Sequence, residues 1–551
     1  MSITAQQMPQ LGETMEVSIV NVDVVVTDKS GNRVHGLTKN DFEILENGKR
    51  QAISNFSEYA SGVERSAAAA GGEGQEAPRR QPRTVVLFVE RMPLRPQQAD
   101  AFFGAIREFL ENAAQPGDRV TLVDWSPANA EHIELAGDVA SIGPRLEELS
   151  KAAQQPQPDA VESTRQETIR LVHAEERAQN LMRQGSAHSE FGGRGAGNGN
   201  KRTMTIAKME EAIDGMSPTV LPMLTAFNEM QRRVHAINST IASMGAGEGR
   251  KILLLATRRF GEVAGAEYEY VTGRTHLQNE VRNQFGTERL TKSVIANANA
   301  NGVSIYPLYV PGLAITLNDT SNEDPMPFPA ENYVLQNESS NLNRVADRTG
   351  GVAAFAVKDI VALLPQISSD ASDYYSLAYR VNEKREDRER NLTVRVKNPD
   401  LHVRSRSAFV EKSDETRMRD RITAALFTEP IDSAIKLTAQ AGARTQSGKT
   451  SVVPVEVRIP IIGLTAIPQN GKYVGAFSVY VGSAADLDEV SEITHKTQPF
   501  EFKESDLQKA SAGYFTYTVD VQVNAKTKTV AVGVLDEVSK AVGLARLNVA
   551  R

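Results

Sequence analysis

The sequence predicts an α/β fold: a doubly wound sheet with a long helical insertion, preceded by a small β unit and followed by a β-sandwich. Three observations point there. Apolar runs too continuous for half-exposed strands recur at Val85–Val89, Val120–Val123, Lys251–Ala256 and Val303–Tyr309. Strands buried on both faces of a parallel sheet read that way. Between them the period becomes helical: Phe102, Ile106, Phe109 and Ala113 fall at i, i+4, i+7 and i+11, widened by Phe103 and Leu110, an amphipathic stripe. From about residue 430 the pattern is short β-like runs at even spacing, as in a two-sheet domain.

In chain order, residues 1–60 form the first β unit. Val20, Val22, Val24 and Val26 alternate with Asn21, Asp23 and Val25, Asp28–Asn32 is a turn, and Asp41–Glu46 and Gln51–Phe56 flank Asn47-Gly48. That dipeptide favours a type I′ hairpin. Residues 61–82, small, polar and Gly/Pro-containing, read as a flexible linker. The α/β domain spans 83–410. Its opening strand–helix–strand unit predicts parallel strands with right-handed crossovers, and ligands in such sheets bind beyond the carboxyl ends of the strands. Glu90 and Asp124 stand at two of those ends.

His132–Leu135 reads as an edge strand and 141–245 as the insertion. Residues 161–184 are helical in composition, and 185–200 are too polar and glycine-rich to bury a core. From Ile206 to Met244 the apolar residues alternate spacings of three and four, the period of a coiled-coil seam. Pro218 and Pro222 split it into two helices, the second starting near Thr219, with Pro222 tolerated in its first turn. Two uses of that stripe stay open: packing on its own sheet, which is commoner, or a seam shared with another subunit.

Residues 288–300 read as a helix and 314–337 as a long loop; Leu342–Thr349 is a helix closed by Gly350-Gly351, a C-cap signal. Val352–Val357 reads as a fifth strand, Ile360, Leu363, Leu364 and Ile367 as a helix, and Tyr374–Val381, Leu392–Lys397 and Leu401–Phe409 as an antiparallel meander. A helical linker at 411–429 leads to a sandwich at 430–551, with strands at 434–441, 451–459, 472–481, 513–523, 528–536 and 543–549.

Composition excludes several functions. Net charge is −7, so no basic field draws nucleic acid. No apolar run approaches the ~20 residues of a membrane span. With no cysteine, disulfides, thiolate metal sites and cysteine nucleophiles are ruled out. The opening MSITAQQMPQ has neither a basic nor an apolar signal region, so the expectation is a cytoplasmic protein or a mature exported form whose leader is absent. A cysteine-free chain of this size suits an oxidising compartment.

Six stretches carry a family resemblance: VDVVVTDKSGNRVHGLTKNDFEILENGKRQAISNFSEY (22–59), PGDRVTLVDWS (116–126), GRKILLLATRRFG (249–261), NGVSIYPLYVPGL (301–313), VADRTGGVAAF (345–355), and DYYSLAYRV with LTVRVKNPDLHVRSRSAF (373–409). Together, over roughly 16–410, they resemble the von Willebrand factor A-related proteins of the acidobacterial type. The resemblance implies an exported, periplasmic or secreted protein. It would be non-catalytic, take no cofactor, and bind protein partners, possibly a second copy of itself.

Domains of this type often grip a divalent ion through Asp-x-Ser-x-Ser at the first strand tip, where carboxylate and hydroxyl oxygens converge. The corresponding positions here are Glu90, Met92 and Leu94, and the later Ser-Asp-Gly loop reads Thr257-Arg258-Arg259. The resemblance therefore implies a degenerate, metal-independent adhesion site. Its candidate partner-binding edge is Glu90, Arg91, Met92, Asp124, Thr257, Arg258 and Arg259. If an arginine replaces the ion, a guanidinium of Arg258 or Arg259 should lie within about 4 Å of Glu90. The plainer alternative is that both arginines face solvent.

Two rival classes are carried alongside. One is a hydrolase-like enzyme at the same edge, with Glu90 and Asp124 as its acids; the other is a self-assembling structural protein using the 206–244 seam. No H-E-x-x-H or G-x-S-x-G motif supports the enzyme. Ala443–Thr450 lacks the first glycine of a phosphate loop and lies between β-like segments, so it reads as a hairpin turn.

Overall fold

The computed structural model describes residues 18–65, 82–91, 94–113, 117–126, 129–135, 142–155, 220–245, 249–266, 268, 283–309, 328–381, 387–427, 434–447, 450–486, 489–506 and 513–549. The expected helix at 161–184, the polar stretch 185–200, the first half of the seam (206–219) and most of the 61–82 linker lie outside them. Helix and strand are both plentiful, giving a mixed α/β protein with several sheets.

Strands β1 (Ser18–Thr27), β2 (Phe42–Glu46), β3 (Lys49–Gln51), β4 (Ile53–Ala60) and β5 (Val63–Arg65) come first. The central unit follows as β6 (Thr84–Glu90), α1 (Pro96–Ala113), β7 (Arg119–Ser126), β8 (Asn129–Leu135), α2 (Ile142–Ala153), α3 (Val220–Met244) and β9 (Lys251–Thr257). It closes with α4 (Glu288–Asn301), β10 (Val303–Tyr309), α5 (Phe328–Thr349) and α6 (Val357–Ser372). The sheet order is β10-β9-β6-β7-β8, with β8 antiparallel at the edge and the others parallel.

Every residue of β6 and β10 is buried, because helices cover both faces. Val85, Leu87 and Val89 pack with Phe102, Ile106 and Leu110 of α1, Leu146 of α2 and Leu364 of α6. Val86 and Phe88 face Met230, Val234, Ile237 and Ile241 of α3, Val294 of α4 and Leu342 of α5. The described half of the seam is thus spent inside the chain, and the shared-subunit reading is corrected for residues 220–244. Pro222 sits in the first turn of α3, as the sequence required.

The fifth strand expected at Val352–Val357 does not form. A single bridge, Leu308 to Ala354, is made before α6 begins. Tyr309 N donates to Ala354 O and Ala354 N to Pro307 O. One step further back the ladder would need an N–H from residue 307, and proline has none. Helix α5 also begins at Phe328, inside the expected 314–337 loop. Its polar surface hid it: Asn337 exchanges hydrogen bonds of 3.0 Å with Val263 N and O, and Asn341 Nδ2 reaches Gly261 O at 3.1 Å. Those amides fasten the loop that leaves β9.

The expected meander is also corrected. Strands β11 (Tyr374–Val381), β12 (Glu389–Val396), β13 (His402–Ser405) and β14 (Ala408–Val410) divide between two sheets, ordered β13-β1-β11-β4-β5 and β14-β12-β2-β3. The sheets share one core in which Val22, Val24, Phe42 and Ile44 meet Tyr375, Leu377, Leu392 and Phe409. Residues 374–410 therefore pair with the first β unit, across the expected division at residue 60. Asp370 of α6, fully buried, fastens this unit to the central one: it accepts from Arg404 at 2.7 and 2.8 Å, from Tyr306 Oη at 2.8 Å, and from Arg33.

Helix α7 (Asp414–Phe427) lays Met418, Ile422 and Leu426 on the last region. There β15 (Thr438–Ala441), β16 (Thr445–Ser447), β17 (Thr450–Pro460), β18 (Ile467–Gln469), β19 (Lys472–Asp486), β20 (Glu489–Val490), β21 (Thr494–Lys503), β22 (Tyr514–Val523), β23 (Thr529–Asp536) and β24 (Val542–Asn548) build two antiparallel sheets. Val455, Val457 and Val521 of one sheet meet Phe477, Val479 and Val532 of the other. Strand β21 was missed because THKTQPFEFK is polar and contains Pro499. Residues 445–447 pair antiparallel with 450–452, so Thr445–Ser447 and Thr450 of the near-phosphate-loop stretch are strand-paired, and they run on into the rest of β17 rather than into a helix. Among the described residues no helix is long and apolar enough to cross a membrane.

Candidate functional site

The carboxyl ends of β6, β7 and β9 bring Glu90, Asp124, Trp125 and Thr257 to one edge. Parallel register fixes the arrangement: Glu90 is level with Trp125, and Val89 with Ala256 and Asp124.

Glu90 is 1% exposed. Its Oε1 and Oε2 accept from Nη2 and Nε of Arg233 at 2.8 and 3.0 Å. Oε2 also accepts from Thr257 Oγ1 at 2.7 Å and from the Arg258 backbone N–H at 3.1 Å. The Arg258 side chain adds a nearby charge, Nε lying 3.8 Å from Oε1. Arg233 reaches down from α3, lies over the Trp125 ring at 5.3 Å and donates Nη1 to Arg259 O at 3.3 Å. Burial alone would push the Glu90 carboxyl up, but the guanidinium groups of Arg233 and Arg258 and the hydrogen bonds outweigh it and hold it below the ordinary carboxylate range. Burial likewise works against the Arg233 charge, and Glu90 reverses the outcome and raises it.

The second acid is locked in the same way. Asp124 is fully buried, accepting from Arg91 Nε and Nη2 at 2.7 and 2.6 Å and from Arg145 Nη2 at 3.3 Å. Arg258 is 8% exposed, which excludes the solvent-facing alternative for that residue. Arg259 is half-buried and sits at φ 52°, a left-handed backbone. Leu94 packs into the core under α1, and Met92 lies outside the described residues.

The site therefore gathers Glu90, Arg91, Asp124, Thr257, Arg258 and Arg259 at one edge, as the topology required. Arg258 meets the expected distance, its Nε 3.8 Å from Glu90 Oε1, but the guanidinium that hydrogen-bonds the carboxylate is that of Arg233, which the sequence reading missed. A signal existed: Arg233 falls between Met230 and Ile237 on the buried stripe, where a charge needs a buried partner. Arg145 of α2 was missed as well.

These residues do not fit the divalent ion gripped by metal-binding domains of the type the sequence resembles. Both Glu90 oxygens already accept from cationic or neutral donors, and guanidinium groups stand where a cation would. Among the described residues no three His, Asp or Glu side chains gather as a ligand set. The described part of this edge is also closely packed. The cavity beside Glu90, between Arg91, Phe103 and Leu149, holds about 10 Å³, scarcely room for one water. A general base needs an open lone pair facing its substrate. No protein-family model matches this chain, and no curated protein matches it.

Proposed function

We propose that the chain is a non-catalytic protein-interaction module working outside the cytoplasm. Its parts would be a von Willebrand factor A-like α/β domain and a C-terminal β-sandwich. The carboxyl edge of its central sheet would engage a protein partner without a metal ion. The observation that carries this reading is the Glu90–Arg233 pair: a built-in cation neutralises the carboxylate at the strand tip where metal-binding relatives would place their ion. The parallel sheet with one antiparallel edge strand supports the fold assignment, and the locked state of Glu90 and Asp124 favours binding over the hydrolase alternative. The self-assembly reading gains nothing from residues 220–244, whose stripe is buried within the chain.

The test is capture of an envelope partner by the immobilised full chain, with and without a chelator, alongside Arg259→Asn. Asparagine tolerates the left-handed backbone there. Capture that persists in chelator and falls with Arg259→Asn supports the reading; capture abolished by chelator sinks it.

A further inference from the structure

At the opposite, amino edge of the central sheet a cleft of about 820 Å³ opens where β9 and β10 begin. Strands β1 and β13 and the start of α7 form its other walls. This volume is within the range of about 300–1,000 Å³ common for small-ligand sites. Its described lining carries seven Lys and Arg side chains against three Asp and Glu, on a chain whose net charge is −7.

Part of that positive charge has a structural use. Helices α3, α4 and α5 all end at this edge, and cations meet the terminal carbonyls of α3 and α4. Lys251 Nζ donates to Gly245 O at 3.2 Å and Asn301 O at 3.1 Å, and Arg406 donates to Asn299 O at 2.8 Å and Asn21 O at 2.5 Å. Each helix end supplies about half a negative charge. Among the described residues, these helix ends, the three lining carboxylates, Asp370 behind Arg404 and Asp414 beside Arg417 compensate most of the rest and leave the lining cationic in character.

A second observation points to a missing acceptor. Arg250, only 6% exposed, lines the cleft and gives Nη1 to Asp23 at 3.0 Å, while its buried Nε has no hydrogen-bond partner. Native folds seldom leave such a donor unpaired. Its guanidinium is held against the Tyr374 ring at 5.3 Å, which fixes its direction.

We propose that this cleft binds a small multivalent phosphate-bearing anion, with Arg250, Lys251 and Arg406 at its centre and Arg421 at its rim. Guanidinium forks match phosphate oxygens in geometry and charge, and a cleft of this volume accommodates a compact ligand. Burial, followed by the neighbouring charges of Lys412 and Arg406, lowers Lys251 to about 8; a bound anion would relieve that repulsion.

Calorimetric titration of the full chain with inorganic pyrophosphate tests the site, with orthophosphate and citrate as comparison ligands. Saturable pyrophosphate binding is expected, tighter than orthophosphate or citrate. Arg406→Gln or Lys251→Met should weaken it by about tenfold or more, the scale of one lost charge-assisted hydrogen bond. Those two side chains also hold helix ends, so Arg421→Gln, at a half-buried position, is the fold-neutral variant. It should weaken pyrophosphate severalfold with an unchanged thermal melt. The proposal is overturned by absence of saturable binding at millimolar pyrophosphate, by citrate binding as tightly, or by binding that Arg421→Gln leaves intact.

Discussion

Arg233 closes on Glu90 through two parallel N–H···O bonds of 2.8 and 3.0 Å, although 143 positions separate them in the chain. Helix α3 of the insertion is thereby pinned to the tip of the innermost strand. Both residues are 1% exposed, so the pair is desolvated and its strength depends on both members being present.

Removing one partner strands a buried charge and costs about 3–5 kcal/mol, whereas replacing both by apolar groups is often close to neutral. Arg233→Met and Glu90→Leu should each lower the urea midpoint strongly, and the double variant should recover most of the loss. Additive single effects in the double variant would show that the two groups are not coupled.

The Glu90 carboxyl titrates below its ordinary 4.5 in the fold. Its contribution to stability is thus complete above 4.5 and is lost as pH falls through the folded value. Stability curves should therefore be steeper below pH 4.5 for the wild type than for the Glu90→Leu/Arg233→Met double variant. Identical acid limbs would remove the pair from the account.

Trp125 is the only tryptophan, is fully buried, and carries the Arg233 guanidinium 5.3 Å from its ring centroid. It reports on the site without a label. Its emission should be blue-shifted and shielded from iodide, and Arg233→Met should change the intensity. An Arg233→Met spectrum identical to wild type would place the guanidinium away from the ring.

Much of this architecture could be read before the fold was seen. Parallel strands announced themselves through unbroken apolar runs such as Val85–Val89, and helix α1 through its stripe. What escaped was set by contacts distant in sequence. Tyr374–Val381 and Leu392–Lys397 look alike as β runs, and nothing local says that they lie in facing sheets closed by residues 18–60. At the site, the loop changes around Glu90 and Arg258 suggested an arginine in place of an ion. The guanidinium that bonds Glu90 comes from helix α3, where helical periodicity could mark position 233 as inward-facing but could not name its partner.

Asp370 joins α6, β10 and β13 through Arg404 and Tyr306, with Arg33 beside them. Asp370→Asn would leave two guanidinium groups facing each other around a neutral amide. Hydrogen exchange should accelerate in β1 and β13, with a loss of stability of about 3–5 kcal/mol. Unchanged protection in both strands would mean that the node does not hold the first β unit in place.

The most direct test of the central claim is titration of the full chain with Mg²⁺, Ca²⁺ and Mn²⁺, followed by calorimetry and Trp125 emission. With Arg233 standing against Glu90, the prediction is no saturable heat and no change in emission through the millimolar range. Saturable binding of any of the three ions that Glu90→Gln abolishes would contradict the claim.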